Sequence, residues 1–388
     1  MISVETALDA LFALTPVLET EPVALRAAAG RVLREDAVAE RDQPPFPASA
    51  MDGYAVMAAA PGDRFEVIGT AVAGKAFGGT VGPRQAVRIF TGAPVPDGAA
   101  RIIIQEDVTR SGDTITVADS PDRATYIRPA GNDFTAGARI DAPRILRSGD
   151  IALLAAMNVS RVIATRKPRV AIIATGDELV SPGEVPGPDQ IVASNTYGLA
   201  ALFESVGAET RLLPIARDDH ASLATVLGLV DDADLVVTVG GASVGDHDLV
   251  AEVSQNLGLE RSFYKVAMRP GKPLMAGRLG QAMMIGLPGN PVSAMVCGHV
   301  FVIPVLRAMQ GLGASPAPRL TAPLAHPLEP NGPRAHYMRA RLKDGTLEVF
   351  ERQDSGLLSV LNAADALVVR SPNAAPADAG ESVPYLPL

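Results

Sequence analysis

The segment that most constrains the fold is residues 234–248, DLVVTVGGASVGDHD. Its apolar, largely β-branched run, residues 235–239, ends directly at Gly240 and Gly241. Such a run followed by glycines is typical of a buried parallel strand that opens into a tight loop, where the backbone can approach a ligand. Residues 170–178, VAIIATGDE, repeat the arrangement. Ligands of open α/β sheets bind beyond the carboxyl ends of the strands, so the two segments predict one crevice.

Acidic residues occur in pairs at the predicted strand ends and helix starts of this sheet: Asp177 with Glu178, Asp218 with Asp219, and Asp246 with Asp248. Carboxylates near phosphate usually hold a hard, oxygen-liganded cation such as Mg²⁺. Ordinary helix capping is the alternative for some of them, and we expect Asp218 or Asp219 to be a cap. The pairs therefore favour a magnesium-assisted site without fixing its ligands.

A strong helix start follows the predicted strand that ends near Leu287. Asn290 has the residue type of a cap, Pro291 suits the first helical position, and Pro288 forces a sharp entry. Free N–H groups at a helix start attract phosphate. A plain helix cap is the more common explanation of the same pattern.

Residues 265–278 carry four basic side chains and no acid, in a chain of net charge −9. Lys272 lies in Pro270-Gly271-Lys272-Pro273, where two prolines restrict the backbone. A rigidly held cation suits an oxyanion or a phosphate. A solvated basic face is the competing interpretation.

Length and composition bound the other possibilities. A chain of 388 residues is too long for one ordinary core and predicts two to four domains. The acidic balance argues against a general nucleic-acid surface, and Cys297, the single cysteine, excludes an intrachain disulfide and favours a cytoplasmic location. Residues 279–306 contain no Asp, Glu, Lys or Arg, but prolines interrupt this apolar stretch. We therefore expect a buried strand, loop and helix there rather than a membrane span. We expect Cys297 to be buried and inert.

The order of apolar, polar and turn-forming residues along the chain predicts a multidomain α/β protein. A helix over residues 4–14, with Ser3 as its cap, and a short helix or turn over 21–33 open the chain. Short runs of alternating apolar and polar residues, separated by glycines, indicate a small β domain. Alternating predicted strands and helices indicate a doubly wound, mostly parallel sheet. The predicted domains are a helical domain at 1–43 with 134–167, an inserted β domain at 44–133, the α/β domain at 168–312 and a C-terminal β domain at 313–388.

The motifs taken together resemble the MoeA-type molybdopterin molybdenumtransferases, the family that includes the E domain of gephyrin. The resemblance spans essentially the whole chain and is carried by SAMDGYAV (49–56), RIFTGAPVPDGA (88–99), QED (105–107), AGND (130–133), PRVAIIATGDELVSPG (168–183), SN (194–195), GGASVGDHD (240–248), KVAMRPGKP (265–273) and GLPGNPVSA (286–294). Each motif alone is weak, but their order and spacing are specific. The α/β domain is then expected to bind molybdopterin.

The resemblance implies insertion of molybdate into the dithiolene of adenylylated molybdopterin, with release of AMP and involvement of Mg²⁺. It also implies a homodimer in which each site joins the α/β domain of one subunit to the small β domain of the other, with Asp52, Thr91, Glu106 and Asp133 on the partner-facing side. The expected catalytic residues are Asp52, Asp133, Glu178, Asp218, Asp248 and Lys272. The expected substrate-binding residues are Thr91, Gly240, Gly241, Ser243, Gly245, Arg269, Pro288, Asn290, Pro291, Arg339 and Ser355. The expected metal ligands are Glu178, Asp246 and Asp248.

One departure and two alternatives accompany this resemblance. Arg269 stands where the family often has lysine, which keeps the charge but presents a planar fork to an oxyanion. The α/β domain also resembles molybdopterin adenylyltransferases and CinA-type proteins, which usually lack the inserted β domain. A molybdopterin-binding scaffold without turnover is the other alternative. An adenylyltransferase and apo-molybdoenzymes are possible partners, and neither nucleic acid nor a membrane is expected. The sequence leaves molybdenum and tungsten equally open.

Overall fold

The structure of the protein, a computed structural model, describes residues 1–240 and 249–388. The chain forms two compact units. The α/β unit comprises Met1–Glu21, Gly30–Arg34 and Ala164–Leu388, and the β unit comprises Pro22–Ala29 and Glu35–Ile163. The finer division into four domains stays a prediction.

The helices of the described chain are short and follow the order of the sequence. They are α1 (Val4–Leu14), α2 (Ser148–Ala156), α3 (Asn195–Glu204), α4 (His220–Leu227), α5 (Leu249–Asn256), α6 (Pro291–Cys297), α7 (Ile303–Met309) and α8 (Leu358–Asn362). Two 3₁₀ turns, Leu25–Ala27 and Gln105–Asp107, and a π turn, Gly298–Val302, complete the helical elements described.

The strands fall into an N-terminal, a central and a C-terminal group. The first group is β1 (Thr20–Ala24), β2 (Val32–Leu33), β3 (Ala37–Val38), β4 (Ala48–Ser49), β5 (Gly53–Val56), β6 (Arg64–Ala71), β7 (Gln85–Ile89), β8 (Arg101–Ile104), β9 (Val108–Ser111), β10 (Thr114–Val117), β11 (Ile127–Arg128), β12 (Arg139–Ile140) and β13 (Arg144–Ile145). The central group is β14 (Arg161–Thr165), β15 (Arg169–Ala174), β16 (Leu179–Val180), β17 (Ile191–Val192), β18 (Glu209–Leu212), β19 (Leu235–Val239), β20 (Leu259–Tyr264), β21 (Met268–Arg269), β22 (Met275–Leu279) and β23 (Ala282–Leu287). The C-terminal group is β24 (Leu320–Pro323), β25 (Ala335–Lys343), β26 (Thr346–Val349), β27 (Ala366–Arg370) and β28 (Ser382–Pro387).

The central sheet of the α/β unit has the strand order β18-β15-β19-β23-β22-β20. The first four strands are parallel, and β22 and β20 are antiparallel. Every residue of β19 and β23 is buried, as expected for strands covered on both faces. The predicted mostly parallel sheet is confirmed.

Helices cover both faces of this sheet because alternate residues of each strand point to opposite sides. On β15, Ile172 packs in the cluster that holds α1, α3, α6 and α7, whereas Ile173 packs in the cluster that holds α4 and α5. Ser3 caps α1 by accepting the backbone N–H of Thr6 at 3.1 Å. The doubly wound arrangement and the first helix are therefore both as predicted.

The helical stretch Pro291–Met309 is long and apolar enough to cross a membrane by length and composition. Its apolar window is 83% buried inside the protein, where it packs against the central sheet. The stretch is a core helix of this fold. This agrees with the prediction that residues 279–306 form a buried strand, loop and helix.

The β unit is built on a six-stranded sheet of order β8-β5-β7-β6-β10-β9. The β6–β7 pair is parallel and the other neighbours are antiparallel. Tyr54 and Ala55, successive residues of β5, belong to two separate hydrophobic clusters, one on each face. This sheet is the small β domain that alternation predicted.

A second sheet of the α/β unit contains the C-terminal strands. Its order is β21-β25-β27-β28-β24, and β26 also pairs with β25. The predicted C-terminal β domain is confirmed, but it recruits β21 from the segment before α6. Through this pairing Arg269 lies opposite His336.

Two segments for which a helix was considered contain little of it in the structure. Residues 21–33 form the turn that was the alternative to a helix there: the 3₁₀ turn Leu25–Ala27 lies between parts of β1 and β2. Of residues 134–167, only Ser148–Ala156 is an α-helix, and short strands flank it. Gly137, at φ +87°, and Pro143, which lacks a backbone donor, interrupt any helix before Ser148.

Candidate active site

A cavity of about 790 Å³ lies beyond the carboxyl ends of β15, β19 and β23. It contains six of the predicted site residues: Glu178, Asp218, Gly240, Pro288, Asn290 and Pro291. Adjacent parallel strands bring these loops together although they are far apart in the sequence. The crevice inferred from the two strand ends is thus a continuous space.

Gly240 is needed where two strand-end loops approach each other. It has φ +97°, and a Cβ there would lie 2.6 Å from the Thr175 carbonyl oxygen. Its amide donates to the Leu287 carbonyl at 3.2 Å, so the ends of all three strands are tied at this point. Only glycine satisfies both the dihedral and the space.

Carboxylates crowd one side of the cavity. The carboxylate of Glu178 lies against Gly176, and the backbone N–H of Asp218 donates to Asp177 Oδ1 at 3.2 Å. Partial burial, then the charges of Asp177 and Glu178, raise the pKa of Asp218. A cation would relieve this repulsion. Asp219, not Asp218, is the helix cap: its Oδ1 accepts the N–H of Ser222 at 2.8 Å.

The side chain of Asn290 does not cap α6 in the expected way. Asn290 occupies the cap position, but its Nδ2 donates to Ser355 Oγ at 3.1 Å. The Ser355 carbonyl instead accepts the N–H of Val292 at 3.0 Å. The structure therefore brings Ser355 to the start of α6, and uses one helical N–H there.

Arg339 is completely buried, with 0% of its surface exposed. Its Nη2 donates to the carbonyl oxygens of Arg352 at 3.3 Å and Asp354 at 3.2 Å. Nε and Nη1 have no hydrogen-bond partner among the residues described. Burial lowers the pKa of Arg339, the charge of Asp354 opposes this, and Arg269 adds to it. Unpaired donors on a buried cation are costly, and an oxyanion is the natural acceptor for them.

The loop of Arg269 and Lys272 rests on the helix that begins at Pro291. Gly271, at φ +106°, leaves no room for a side chain because a Cβ would lie 2.5 Å from Cys297 Sγ. Cys297 is fully buried, and burial raises the pKa of its thiol. The expectation of a buried cysteine is confirmed, and the raised pKa disfavours the reactive thiolate. Lys272 is half-buried and Arg269 is exposed.

The β unit holds a second group of predicted residues. Asp52 Oδ1 accepts both the backbone N–H and the hydroxyl of Thr91, each at 2.8 Å. These bonds, the backbone one first, hold the pKa of Asp52 below its usual value. Glu106 Oε1 accepts from Gln105 Nε2 at 3.1 Å, and Asp133 lies in an exposed turn.

Five predicted residues lie outside the described part of the chain: Gly241, Ser243, Gly245, Asp246 and Asp248. Two of the three expected metal ligands are among them. Within residues 1–240 and 249–388, no group of three or more His, Cys, Asp or Glu side chains has the geometry of a metal site.

Three family models match the chain along its length. The MoeA N-terminal region (domains I and II) matches residues 2–158, the probable molybdopterin-binding domain matches 171–308, and the MoeA C-terminal region (domain IV) matches 321–388. A molybdopterin molybdenumtransferase of Nostoc sp. is 36% identical over 95% of this chain and 90% of its own. The chain belongs to the MoeA family.

Further relatives agree with this membership. The molybdopterin molybdenumtransferase of Haemophilus influenzae is 36% identical over 76% of this chain and 74% of its own. The crystal structure of the molybdopterin biosynthesis MoeA protein from Pyrococcus horikoshii matches with a TM-score of 0.84 and 28% identity, over 100% of both chains. The predicted fold class and the prediction of a transferase of molybdenum cofactor biosynthesis are confirmed at the level of this MoeA family.

Some residues of this MoeA-family site were not predicted. Thr175 and Asn195 line the cavity, and Asn195 Nδ2 donates to the Gly289 carbonyl at 2.8 Å. Ile191 and Val192 line it as well and are 59% and 41% exposed. The SN motif at 194–195 was a usable signal for Asn195. The apolar pair carries no local signal, because its place depends on pairing of β16 with β17.

Proposed function

We propose that this protein inserts molybdate into the dithiolene of adenylylated molybdopterin, with Mg²⁺-dependent release of AMP. The observation that carries the proposal is the cavity beyond the carboxyl ends of β15, β19 and β23, which Glu178, Asp218 and Asn290 line. Membership in the MoeA family narrows the choice of oxyanion to molybdate or tungstate. The two have nearly the same size and charge, so the experiment compares them.

The oxyanion subsite would consist of Arg339, Arg269, Ser355 and Lys272. Arg339 supplies two directed N–H groups, Arg269 a second guanidinium close enough to lower the pKa of Arg339, and Ser355 a hydroxyl. A tetrahedral dianion accepts several charge-assisted hydrogen bonds at once. These residues would bind and orient the metal oxyanion for transfer.

The cation subsite would include Glu178 and Asp218, with Asp246 and Asp248 as further ligands. The fit rests on the donor set, since carboxylate oxygens are the ligands that Mg²⁺ prefers and Asp218 is crowded by Asp177 and Glu178. Held there, Mg²⁺ would neutralise charge on the substrate phosphates. Hydrolysis of the adenylate is then favoured by positioning and charge, and needs no protein nucleophile.

Asp52 and Thr91 would complete the site. Glu106 and Asp133, which lie in two other motifs of the β unit, would belong to the same group. We propose a cytoplasmic homodimer in which the β unit of one subunit supplies this group to the cavity of the other. The lowered pKa keeps the Asp52 carboxylate ionised, so that it would act as a charged hydrogen-bond acceptor. An adenylyltransferase would supply the substrate, and apo-molybdoenzymes would receive the product.

The first test is an assay of AMP release by the purified full-length chain with adenylylated molybdopterin, Mg²⁺ and either molybdate or tungstate. We expect AMP release that depends on both the oxyanion and Mg²⁺, with activation of an apo-molybdoenzyme. Tight binding of the nucleotide without turnover would instead identify a scaffold. Formation of the adenylate from ATP and molybdopterin would identify an adenylyltransferase.

The matched test of the oxyanion subsite is Arg339→Met beside Arg319→Met. Saturating molybdate at about 100 Kd is expected to stabilise the natural chain by about 2.7 kcal/mol. The Arg339→Met variant should lose this gain and the Arg319→Met variant should keep it. Equal stabilisation of both variants would place the oxyanion elsewhere.

A further inference from the structure

Three sequence motifs of the β unit, MDGY, RIFTG and QED, meet at one side chain, Arg88 of β7. Its Nη1 donates to the Gly53 carbonyl oxygen at 3.2 Å, and its Nη2 donates to Gln105 Oε1 at 2.6 Å. The backbone N–H of Gln105 donates in turn to the Asp52 carbonyl oxygen at 3.1 Å. The backbone is therefore held at Asp52 and at the residue after it.

Two aromatic rings fix the orientation of the guanidinium. The Cζ atom of Arg88 lies 5.0 Å from the ring centroid of Tyr54 and 4.7 Å from that of Phe90. Tyr54 is directly opposite Arg88 in the β5–β7 pair, and Phe90 immediately precedes Thr91. The planar group is attracted to both rings, so its fork is aimed at Gly53 and Gln105.

Glycine at position 53 allows β5 to pair with both of its neighbouring strands next to Asp52. A Cβ at Gly53 would lie 2.0 Å from the Ile103 carbonyl oxygen, so no side chain fits at this position of the β5–β8 pair. Gly53 pairs with Ile89 on its other side. The segment that carries Asp52 is thus pinned between two strands and one arginine.

The charge of Arg88 acts on Asp52 as well. Both acceptors of its N–H groups, a carbonyl and an amide oxygen, are uncharged, so they leave the positive charge in place. This charge adds to the two Thr91 hydrogen bonds in lowering the pKa of Asp52. Arg88 therefore favours the ionised carboxylate of Asp52 and also restrains the backbone that carries it.

We propose that Arg88 is a positioning residue, which holds the ionised Asp52 carboxylate and Thr91 in the arrangement that the reaction uses. Lysine cannot replace it, because a single ammonium group lacks the planar fork that donates to two acceptors beside two aromatic rings. The inference rests on the proposed role of Asp52, and the test separates the two.

The experiment compares Arg88→Met and Arg88→Lys with Arg64→Met in the full-length chain. Arg64 is an exposed arginine at the start of β6 in the same sheet. Arg88→Met should lower kcat for AMP release by about 10- to 100-fold, leave the KM for molybdate unchanged and raise the pKa of Asp52 in a carboxyl ¹³C titration. Arg88→Lys should restore the pKa but not kcat, and Arg64→Met should behave as the natural chain.

Unchanged kcat in folded Arg88→Met would overturn the proposal, and so would an unchanged Asp52 titration. If Arg88→Met does not fold, Gln105→Leu decides: it removes one acceptor of the fork and should lower kcat in the same direction by less. The titration does not require turnover. If Asp52→Asn stays active, the proposed function of Asp52 is wrong. The effect of Arg88 on Asp52 is still tested, because the Asp52 carboxyl signal of Arg88→Met is compared with that of the natural chain.

Discussion

Two carboxylates of this protein, Asp52 in the β unit and Asp218 in the α/β unit, are shifted in opposite directions by their surroundings. Asp52 accepts two hydrogen bonds from Thr91, which lower its pKa. Asp218 is partly buried beside two other acids, which raise its pKa. The hydrogen bonds that stabilise the ionised form of Asp52 come from the protein itself, whereas the described surroundings of Asp218 disfavour its ionised form.

The difference lies in how the two regions are built. In the β unit, side-chain hydrogen bonds hold the site: Arg88 donates to the Gly53 carbonyl and to the Gln105 side chain, and the Thr91 hydroxyl donates to the Asp52 carboxylate. In the cavity of the α/β unit, backbone segments meet at glycine, and the charged side chains project from their ends. Substitutions should therefore act on chemistry in the first region and on both geometry and cation binding in the second.

The largest effect is expected for Asp52→Asn. Asparagine still accepts both Thr91 bonds through its oxygen but carries no charge, so the fold stays and the carboxylate chemistry is lost. We expect kcat for AMP release to fall by about 100-fold or more while the variant stays folded. Asp63→Asn is the control, because Asp63 also accepts a backbone N–H, from Ala60 at 2.8 Å, in the same unit. Equal losses in both variants would mean that charge at Asp52 has no special part.

Gly240→Ala tests the backbone-built region. Gly258 has nearly the same φ, +93° against +97°, but open space where a Cβ would lie. Gly258→Ala should cost about 1–2 kcal/mol of unfolding free energy from strain alone. Gly240→Ala should cost about 1–3 kcal/mol more because its Cβ meets the Thr175 carbonyl. Urea unfolding of the two variants measures the difference, and equal costs would show that the strand ends move apart freely.

A smaller effect is expected for Asp218→Asn. Loss of one crowded carboxylate should weaken activation by Mg²⁺ about tenfold, with activity recovered at high Mg²⁺. Asp219→Asn is the neighbouring control, because asparagine caps a helix as well as aspartate does. A Mg²⁺ titration of AMP release separates them. If both variants respond alike, the cation is held elsewhere.

The smallest effects are the pKa shifts themselves. The folded-state pKa of Asp52 is lowered, so its contribution to stability is present above the unfolded-state pKa and is lost as pH falls through the folded-state value. The folded-state pKa of Asp218 is raised, so the unfolding free energy falls as pH rises from the unfolded-state to the folded-state value. Carboxyl ¹³C titration should show opposite shifts, and Mg²⁺ should lower only that of Asp218. Shifts of the same sign would contradict the comparison.

Local patterns predicted the parts of the fold that local forces decide. The β-branched runs ending at Thr175 and Gly240 gave correct strands, and Ser3 gave the cap of α1. The resemblance, not the pattern, pointed to Arg339 and Ser355, and their roles stay predictions. The structure shows that Arg339 is buried and that Ser355 bonds to Asn290. Pairings between distant segments were missed, as with β21 and with the convergence on Arg88, because no residue near them in the sequence signals the partner.

The pairing of Met268–Arg269 with the C-terminal sheet bears on modularity. A gene fusion or truncation at the apparent boundary near residue 312 would remove β25 and leave Arg269 without its neighbouring strand. The C-terminal segment is consequently not an independent domain, although it looks like one in the sequence. Exchange of this segment between relatives should succeed only when the strand that carries the basic loop is exchanged with it.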